Sequence, residues 1–183
     1  MTSAHRTEAL ADPMRQPLFH RVFRADPGNV RRTLIEIRSR FSTLLESATA
    51  GRLELVLAEV LNNVGEHGAP TPDLHADDQG DNLDGGGRAM APGRRRVPLV
   101  HLALTRHTTG IACAISDDGR RIPANCLIQP SMPVILGPDH TLPEGGFGWF
   151  LIHDLTQSLC YFREGHRNFL AFCVPWEDTE NQR

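Results

Sequence analysis

Residues 53–67 read LELVLAEVLNNVGEH, and the rest of the chain is organised around this stretch. Its apolar side chains recur at steps of three and four residues, which is the period of a half-buried amphipathic helix. They are Leu53, Leu57, Val60, Leu61 and Val64. Glu59, Asn63 and His67 stand four apart, so on a helix they form one slowly drifting polar stripe.

The polar stripe of Glu59, Asn63 and His67 has two interpretations. A carboxylate, an amide oxygen and an imidazole that face one ligand can take a proton, hold a hard metal ion and contact an anion. Polar residues of a helix are also commonly its solvated face. The helix alone leaves both interpretations open.

Composition narrows the class of protein. A chain of 183 residues is one domain of ordinary size, and its net charge of −3 gives no reason to expect a nucleic-acid surface. The one arginine run, at 94–96, lies in a Gly/Pro-rich segment and predicts a solvated loop. No stretch approaches the roughly 20 apolar residues of a membrane span, and the N-terminus lacks a signal-peptide core. We expect a cytoplasmic protein that binds neither nucleic acid nor membrane.

The absence of lysine excludes several chemistries. All 19 basic residues are arginine. This removes the P-loop lysine, the strand lysine of eukaryotic-type protein kinases and every Schiff-base mechanism. If the protein handles ATP, it does so in another way.

Periodicity and turn residues divide the chain into elements. Asp26 and Pro27 have the arrangement of an N-cap and first turn, and Gly68 with Pro70 has that of a helix stop. The predicted elements are a strand at 17–24, helices at 28–45 and 51–67, strands at 97–105 and 110–116, a helix ending near 158, and a hairpin of 159–163 with 168–174. The remaining segments are a flexible tail at 1–16, a disordered insertion at 69–96, a long loop at 123–145 and a C-terminal tail at 176–183.

Two further motifs contain glycine. Asp117-x-Gly119 follows a strand, where an acidic residue and a glycine also make an ordinary turn. Gly145, Gly146 and Gly148 surround Phe147 at the start of an apolar helix. Glycines there let backbone N–H groups approach a phosphate closely, although a simple tight turn has the same sequence.

Taken in this order, the pieces resemble the histidine-kinase-like ATPases, also called the GHKL or Bergerat fold. Within that group they resemble the bacterial anti-sigma-factor serine/threonine-protein kinases of the RsbW type. Three boxes carry the resemblance: Glu59-x-x-x-Asn63-x-x-x-His67, Asp117-x-Gly119 and Gly146-Phe147-Gly148. It implies a two-layer α/β (α+β) sandwich at 17–175, in which helices cover one face of a mixed, mostly antiparallel sheet, with 123–145 as the ATP lid.

The resemblance also implies residue roles. Asn63 would bind Mg²⁺ and Glu59 would be the general base. Asp117 would accept a hydrogen bond from the adenine amino group, and Gly119 would leave room for the base. The backbone at Gly145, Gly146 and Gly148 would close over the phosphates, together with Phe147. His67 would contact a phosphate, order the lid or simply end its helix near the negative dipole end.

Two positions depart from the family's pattern. Arg121 stands where a second glycine is common after the Asp-x-Gly box, so it would crowd the nucleotide or supply a positive charge to phosphate. Where related ATPases often have a threonine near adenine, this chain offers Asn168 or no equivalent.

The function that the resemblance implies is an ATP-dependent serine/threonine protein kinase. It would phosphorylate a small anti-sigma antagonist protein and bind a sigma factor or another regulatory partner, with a homodimer possible by analogy. The alternative is a non-catalytic nucleotide-sensing interaction module of the same fold. A third option, an ATPase fragment that acts with another chain, ranks lower because the chain lacks a large transducer domain.

Overall fold

The computed structural model describes residues 16–68, 96–128 and 147–177. In chain order these residues form five strands and four helices. Their bounds are β1 Gln16–Arg24, α1 Pro27–Phe41, α2 Ser47–His67, β2 Leu99–His107, β3 Gly110–Asp117, α3 Ala124–Leu127, α4 Phe147–Leu155, β4 Gln157–Glu164 and β5 Arg167–Pro175. Nearly all of the predicted tail at 1–16, nearly all of the insertion at 69–96 and most of the predicted lid lie outside the described residues.

The strands form one sheet in the order β1-β2-β3-β5-β4. Each of the four pairings among the described strands is antiparallel. Two of them, β2 with β3 and β4 with β5, are the hairpins that the sequence predicts. The predicted α+β fold, a mostly antiparallel sheet with helices, is confirmed, and the parallel pair implied by "mixed" is not found among the described strands.

The core lies between one face of the sheet and the helices. All five apolar positions of the central amphipathic helix are buried, as its period predicts. The alternate inward side chains of β2, namely Val100, Leu102 and Leu104, are fully buried opposite them. Burial of this apolar surface fixes which face of α2 turns away from the sheet.

The start of α1 follows the predicted capping arrangement. Asp26 accepts a hydrogen bond from the backbone N–H of Asn29 at 2.9 Å, and Pro27 is the first helical residue. That hydrogen bond lowers the pKa of Asp26. The end of α1 was predicted too late: the helix stops at Phe41, the last of its buried apolar residues, and Leu44 beyond it is 60% exposed.

Other element boundaries also differ from the prediction. Helix α2 begins at Ser47 rather than 51, because Thr49 is buried and extends its packed face. Helix α4 ends at Leu155 rather than near 158, because pairing with β5 already begins at Gln157. The short helix α3 lies in the stretch predicted to be a patternless loop.

The C-terminal tail predicted from 176 onward is packed at its beginning. The Trp176 indole donates to the carbonyl oxygens of His107 and Thr108 at 3.2 and 3.0 Å. The backbone N–H of Glu177 donates to the Thr49 hydroxyl at 3.2 Å. An indole that finds acceptors for its N–H is held in place more firmly than the polar composition of this segment indicates. In the part of the chain that the structure describes, no helix is long and apolar enough to cross a membrane.

Candidate functional site

A cavity of about 780 Å³ lies between the C-terminal half of α2, the end of β3 and the start of α4. Glu59, Asn63 and His67 all line it, so the polar stripe of α2 faces one common space. Glu59 and Asn63 are half-buried. His67 lies at the rim, with a side chain that is 76% exposed. The stripe therefore combines two partly desolvated side chains and one solvated one.

The Asp117-x-Gly119 turn forms the opposite wall of the cavity. Asp117 is the last residue of β3 and is only 4% exposed. The backbone N–H of Gly119 donates to its Oδ1 at 2.8 Å. A carboxylate that receives a backbone N–H from two residues ahead forms an Asx-type turn, which fixes its direction. Asp117 thus lines the cavity as a nearly buried hydrogen-bond acceptor whose direction is fixed.

Gly119 allows this turn to approach the end of α2. A Cβ at this position would lie 2.8 Å from the carbonyl oxygen of Gly68 and 3.0 Å from its Cα, which are backbone atoms that cannot swing aside. The backbone N–H of Arg120 donates to that same Gly68 oxygen at 2.9 Å. This bond ties the turn to the C-terminus of α2, so the two walls of the cavity are joined at this point.

Asn168, the second residue of β5, holds Asp117 from behind. It is 1% exposed and pairs with Asp117 in the register of β3 with β5. Its Nδ2 donates to Asp117 Oδ1 and to the Arg120 carbonyl oxygen, both at 2.8 Å. Its Oδ1 accepts from the Tyr161 hydroxyl at 2.9 Å and from Arg163 at 2.5 Å. A buried amide with all four contacts made carries no penalty for unpaired polar atoms.

Opposing effects act on the charge of Asp117. Burial raises the pKa of Asp117 above the ordinary carboxyl value, because desolvation disfavours the charged form. The hydrogen bonds from Asn168 and Gly119 and the charge of Arg163 hold that pKa down, while the charge of Asp118 raises it. The environment thus combines a low-dielectric position with donors that favour a carboxylate.

The neighbouring Asp118 has a different role. Its Oδ1 accepts from the backbone N–H of Leu99 at 2.6 Å, and its Oδ2 forms an ion pair with Arg96. These contacts anchor the start of β2 rather than the cavity. The two adjacent carboxylates therefore serve separate purposes, which their sequence alone does not distinguish.

At the other end of the cavity, Glu59 meets the N-terminus of α4. A Cβ at Gly148 would lie 2.5 Å from Glu59 Oε2 and 3.8 Å from Asn63 Nδ2. Gly148 therefore lets the first turn of α4 come close to both side chains. The first N–H groups of a helix have no partner within it, so this end of the cavity suits an anion.

Asn63 supplies the least satisfied group of the site. Among the residues that the structure describes, its Nδ2 is the one buried side-chain nitrogen or oxygen without a hydrogen-bond partner. Leaving a buried polar atom unpaired costs about 1–3 kcal/mol. Such a cost is commonly tolerated where a ligand completes the bonding.

The comparison with protein families agrees with this geometry. A family model described as the histidine kinase-like ATPase domain matches residues 23–174. The chain belongs to the histidine kinase-like ATPase family. Among curated proteins, no match was found. Membership in this family implies ATP binding, and the cavity between α2, β3 and α4 is its candidate site.

The side chains at the Glu59 end also fit a magnesium ion, which the family usually uses with ATP. Asn63 and Glu59 bring an amide and a carboxylate to one place, and oxygen atoms are the ligands that Mg²⁺ prefers. In Asn63 the ion would be bound by Oδ1, because Nδ2 is a hydrogen-bond donor and cannot bind a metal ion. Mg²⁺ in nucleotide sites commonly takes only one or two protein ligands and completes its shell with phosphates and water.

The structure brings together most of the residues that the sequence singles out. Arg121 and Phe147 line the same cavity as the α2 stripe, Asp117 and Gly148, and the Arg121 side chain is exposed. Gly119 lies in the turn that carries Asp117. Gly145 and Gly146 lie outside the described residues.

Sequence reasoning missed the residues behind Asp117. Asn168 was noted only as a replacement for threonine, and Tyr161 and Arg163 were assigned no role. A signal was present: Asn168 continues the inward-facing series Leu170, Phe172 and Val174, all of which are buried. A polar residue in such a series is a buried hydrogen-bonding group.

Proposed function

We propose that this protein is an ATP-dependent serine/threonine protein kinase of the anti-sigma-factor type. The observation that carries the proposal is the position of Glu59, a half-buried carboxylate beside Asn63 and against the N-terminus of α4, in the cavity that has Asp117 at its other end. A nucleotide whose base lies at Asp117 would direct its phosphates toward Glu59. A carboxylate there can act on a hydroxyl that attacks the terminal phosphate.

The proposed reaction assigns one task to each end of the cavity. Asp117 accepts a hydrogen bond from the adenine amino group, and Gly119 leaves space for the ring. Glu59 takes the proton from the attacking serine or threonine hydroxyl, the oxygen of that hydroxyl bonds to the γ-phosphorus, and ADP leaves. Mg²⁺ bound at Asn63 would neutralise phosphate charge. Positioning and neutralisation supply most of the rate in such transfers, which is compatible with a chain without lysine.

The proposed biological setting is a partner switch. The substrate is a small anti-sigma antagonist protein, and the second partner is a sigma factor or another regulatory protein. The protein acts in the cytoplasm, with a homodimer as the proposed assembly. These assignments rest on the resemblance of the three boxes to the RsbW-type kinases, with family membership as support for the ATP-binding part.

One observation favours a second candidate, the non-catalytic nucleotide-sensing module. Arg121 lines the cavity and is exposed at its mouth, where a bulky charged side chain can reduce the space for a nucleotide or hold one without turnover. In that case nucleotide binding changes partner affinity and no phosphate is transferred.

The test of the kinase proposal is phosphate transfer from labelled ATP to candidate antagonist proteins. We expect a labelled serine or threonine with wild type and a loss of about 10²- to 10⁴-fold in Glu59→Gln, because a positioned base contributes that much. Glu54→Gln is the matched control, since Glu54 lies on the same helix but pairs with Arg38 outside the cavity. Tight ATP binding without any transfer would leave the sensing module as the better interpretation.

A further inference from the structure

The polar cluster beside Asp117 consists of Asn168, Tyr161 and Arg163. Asn168 lines the cavity although it is only 1% exposed, and the other two residues lie behind it. Tyr161 and Arg163 lie on the edge strand β4, and Asn168 faces them from β5 in the terminal hairpin. Arg163 also donates to the Gly119 carbonyl oxygen at 3.0 Å, and Tyr161 accepts from the Ile122 backbone N–H at 3.3 Å. The cluster therefore holds the whole turn 117–122.

The partners of Asn168 determine which way its amide points. Arg163 has donors only, so the group 2.5 Å from it must be the amide oxygen. The Tyr161 hydroxyl accepts from Ile122, so its hydrogen is free to be donated to the same oxygen. On the other side, Asp117 Oδ1 and the Arg120 carbonyl oxygen are both acceptors, which require the NH₂ end. All four neighbours agree on one orientation.

This orientation affects the two oxygens of Asp117 differently. Oδ1 receives two donors, the Gly119 N–H and the Asn168 amide, each at 2.8 Å. Among the hydrogen bonds of the described residues, none reaches Oδ2. One oxygen is thus occupied by the protein, and the other is left for a ligand in the cavity that Asp117 lines.

We propose that Asn168 is a positioning residue that, with Tyr161 and Arg163, holds the Asp117 carboxylate in one orientation and thereby makes the cavity selective for a nucleobase with an exocyclic amino group. The inference rests on the nucleotide-binding part of the proposed function and not on phosphate transfer. Asn168 acts through Asp117, because its amide atoms are bonded to Asp117, Arg120, Tyr161 and Arg163 and offer no further hydrogen bond to a ligand.

The physical basis is the acceptor character of a held carboxylate. An oxygen that only accepts forms a hydrogen bond with an amino group and gains nothing from a base that has hydrogen at that position. A site built around such a bond discriminates strongly against analogues that lack the donor. If the Asp117 carboxylate could rotate, it would not always turn its free oxygen toward the ligand. The selectivity of the cavity for an amino group would then fall.

The experiment compares the affinities of ATP and of purine riboside triphosphate, which differs only by lacking the 6-amino group. Titration calorimetry with wild type should show ATP preferred by roughly tenfold or more, since a hydrogen bond to a charged group is involved. In Asn168→Leu, which is similar in size and has no polar atoms, we expect this ratio to fall by about fivefold. Asn62→Leu, a change of the same type at an exposed position of α2, should keep the wild-type ratio.

The ratio of the two affinities distinguishes a positioning role of Asn168 from an effect on the fold alone. A less stable fold would weaken both ligands equally, and an unchanged ratio in Asn168→Leu would overturn the inference. If that variant does not fold, Tyr161→Phe serves instead, because it removes one donor to Asn168 and leaves the buried amide in place; its ratio should fall by about twofold. An unchanged ratio in that variant would also count against the positioning role.

Failure of the proposed function gives a different result. One such result is that the wild type never transfers phosphate while the affinity ratio still falls in Asn168→Leu. That result would support the positioning role of Asn168 and refute only the kinase proposal. Wild type without any preference for ATP would overturn both the positioning role of Asn168 and the base-selective cavity on which it depends.

Discussion

The two ends of the cavity are built in opposite ways. At the Asp117 end, one carboxylate oxygen, the Asn168 amide and the carbonyl oxygens of the turn already have partners within the protein. At the Glu59 end, Asn63 Nδ2 is buried without a partner among the described residues, and the N-terminus of α4 lies beside it. The first end is organised before a ligand arrives, whereas the second leaves its bonding capacity to the ligand.

This difference fits a division between recognition of the base and binding of the phosphates. A preorganised acceptor loses little entropy on binding and discriminates well between ligands. The unpaired Nδ2 of Asn63 and the N–H groups at the start of α4 are donors, so they suit the charged phosphates, which are present only when the nucleotide is bound. If the division holds, the two ends respond separately to substitution.

The largest effect on binding is expected from Asp117→Asn. The change places an amino group where the ligand needs an acceptor, so ATP affinity should fall by about 2–3 kcal/mol, or roughly 30- to 150-fold. Titration calorimetry at neutral pH measures this. Asp118→Asn is the matched control, because Asp118 anchors Leu99 and Arg96 outside the cavity; its ATP affinity should stay within about twofold of wild type. Equal losses in both variants would contradict the assigned division between the two carboxylates.

The next effect tests the opposite end of the cavity. Asn63→Ala removes the amide that fits Mg²⁺, so the gain in ATP affinity on adding Mg²⁺ should drop by roughly tenfold. Affinity without the metal should fall by a smaller factor, for the loss of the Nδ2 donor. The comparison is one of titrations with Mg²⁺ and with a chelator. Asn62→Ala, next to it but exposed, should keep the full metal dependence. If Asn63→Ala instead lost the preference for adenine, the two ends would not be separate.

Gly148→Ala should affect turnover more than folding. The new methyl would meet Glu59 Oε2, the tip of a flexible side chain that can move away, so the stability should change by less than about 1 kcal/mol. Displacing Glu59, the proposed base, should lower phosphate transfer by about tenfold. Gly119→Ala is the contrasting variant, since its methyl would meet the backbone of Gly68; thermal unfolding should show a loss of about 1–3 kcal/mol there. A reversed pattern would contradict the close approach of α4 to Glu59.

Acidification should weaken ATP binding through Asp117. Because burial raises the pKa of Asp117, it begins to take up a proton at a higher pH than an ordinary carboxyl of about 4, and protonation removes an acceptor. Affinity should therefore fall severalfold as the pH is lowered through the native pKa. The measurement is ATP affinity against pH for wild type and Asp117→Asn. The ratio of the two affinities at each pH cancels the titration of ATP and of the other groups around the cavity. If that ratio does not change with pH, the prediction is wrong.

The same raised pKa has a consequence for folding. The native state binds this proton more readily than the unfolded chain does, so the contribution of Asp117 favours the native state at low pH. That contribution is lost as the pH rises from the unfolded pKa through the native one. An ionised Asp117 at neutral pH therefore lowers the free energy of unfolding.

The smallest effect is expected from His67→Ala. The side chain is 76% exposed and its nearest charged partner is Glu66 at 4.0 Å. Solvent screens such a group, so ATP affinity should change by less than about threefold. The outcome sharpens the comparison, because a larger loss would place His67 with the phosphate-binding groups, and no loss would favour its role as the end of α2.

Local features of the sequence predicted several parts of the molecule correctly. The period of α2, its stop at Gly68 and the Asp26 cap are confirmed because each depends on residues within one or two helical turns. The boundaries of α1 and α4 were wrong because burial of Phe41 and pairing of Gln157 decide them, and both depend on distant residues. The prediction that Asp117-x-Gly119 directly follows a strand was correct to within one residue, since Asp117 is the last residue of β3. The separate tasks of Asp117 and Asp118 could not be predicted because their partners lie on other strands.

By itself the sequence determined the helix that carries Glu59, Asn63 and His67, the polar turn that begins at Asp117 and the position of Gly148 at the start of an apolar helix, since these follow from helical period and turn chemistry. Only the tertiary structure decided that they line one cavity, that Gly148 lies against Glu59, and that Asn168 binds an aspartate 51 residues away. The reason is that strand register and the packing of helices on a sheet join residues whose distance along the chain carries no local signal.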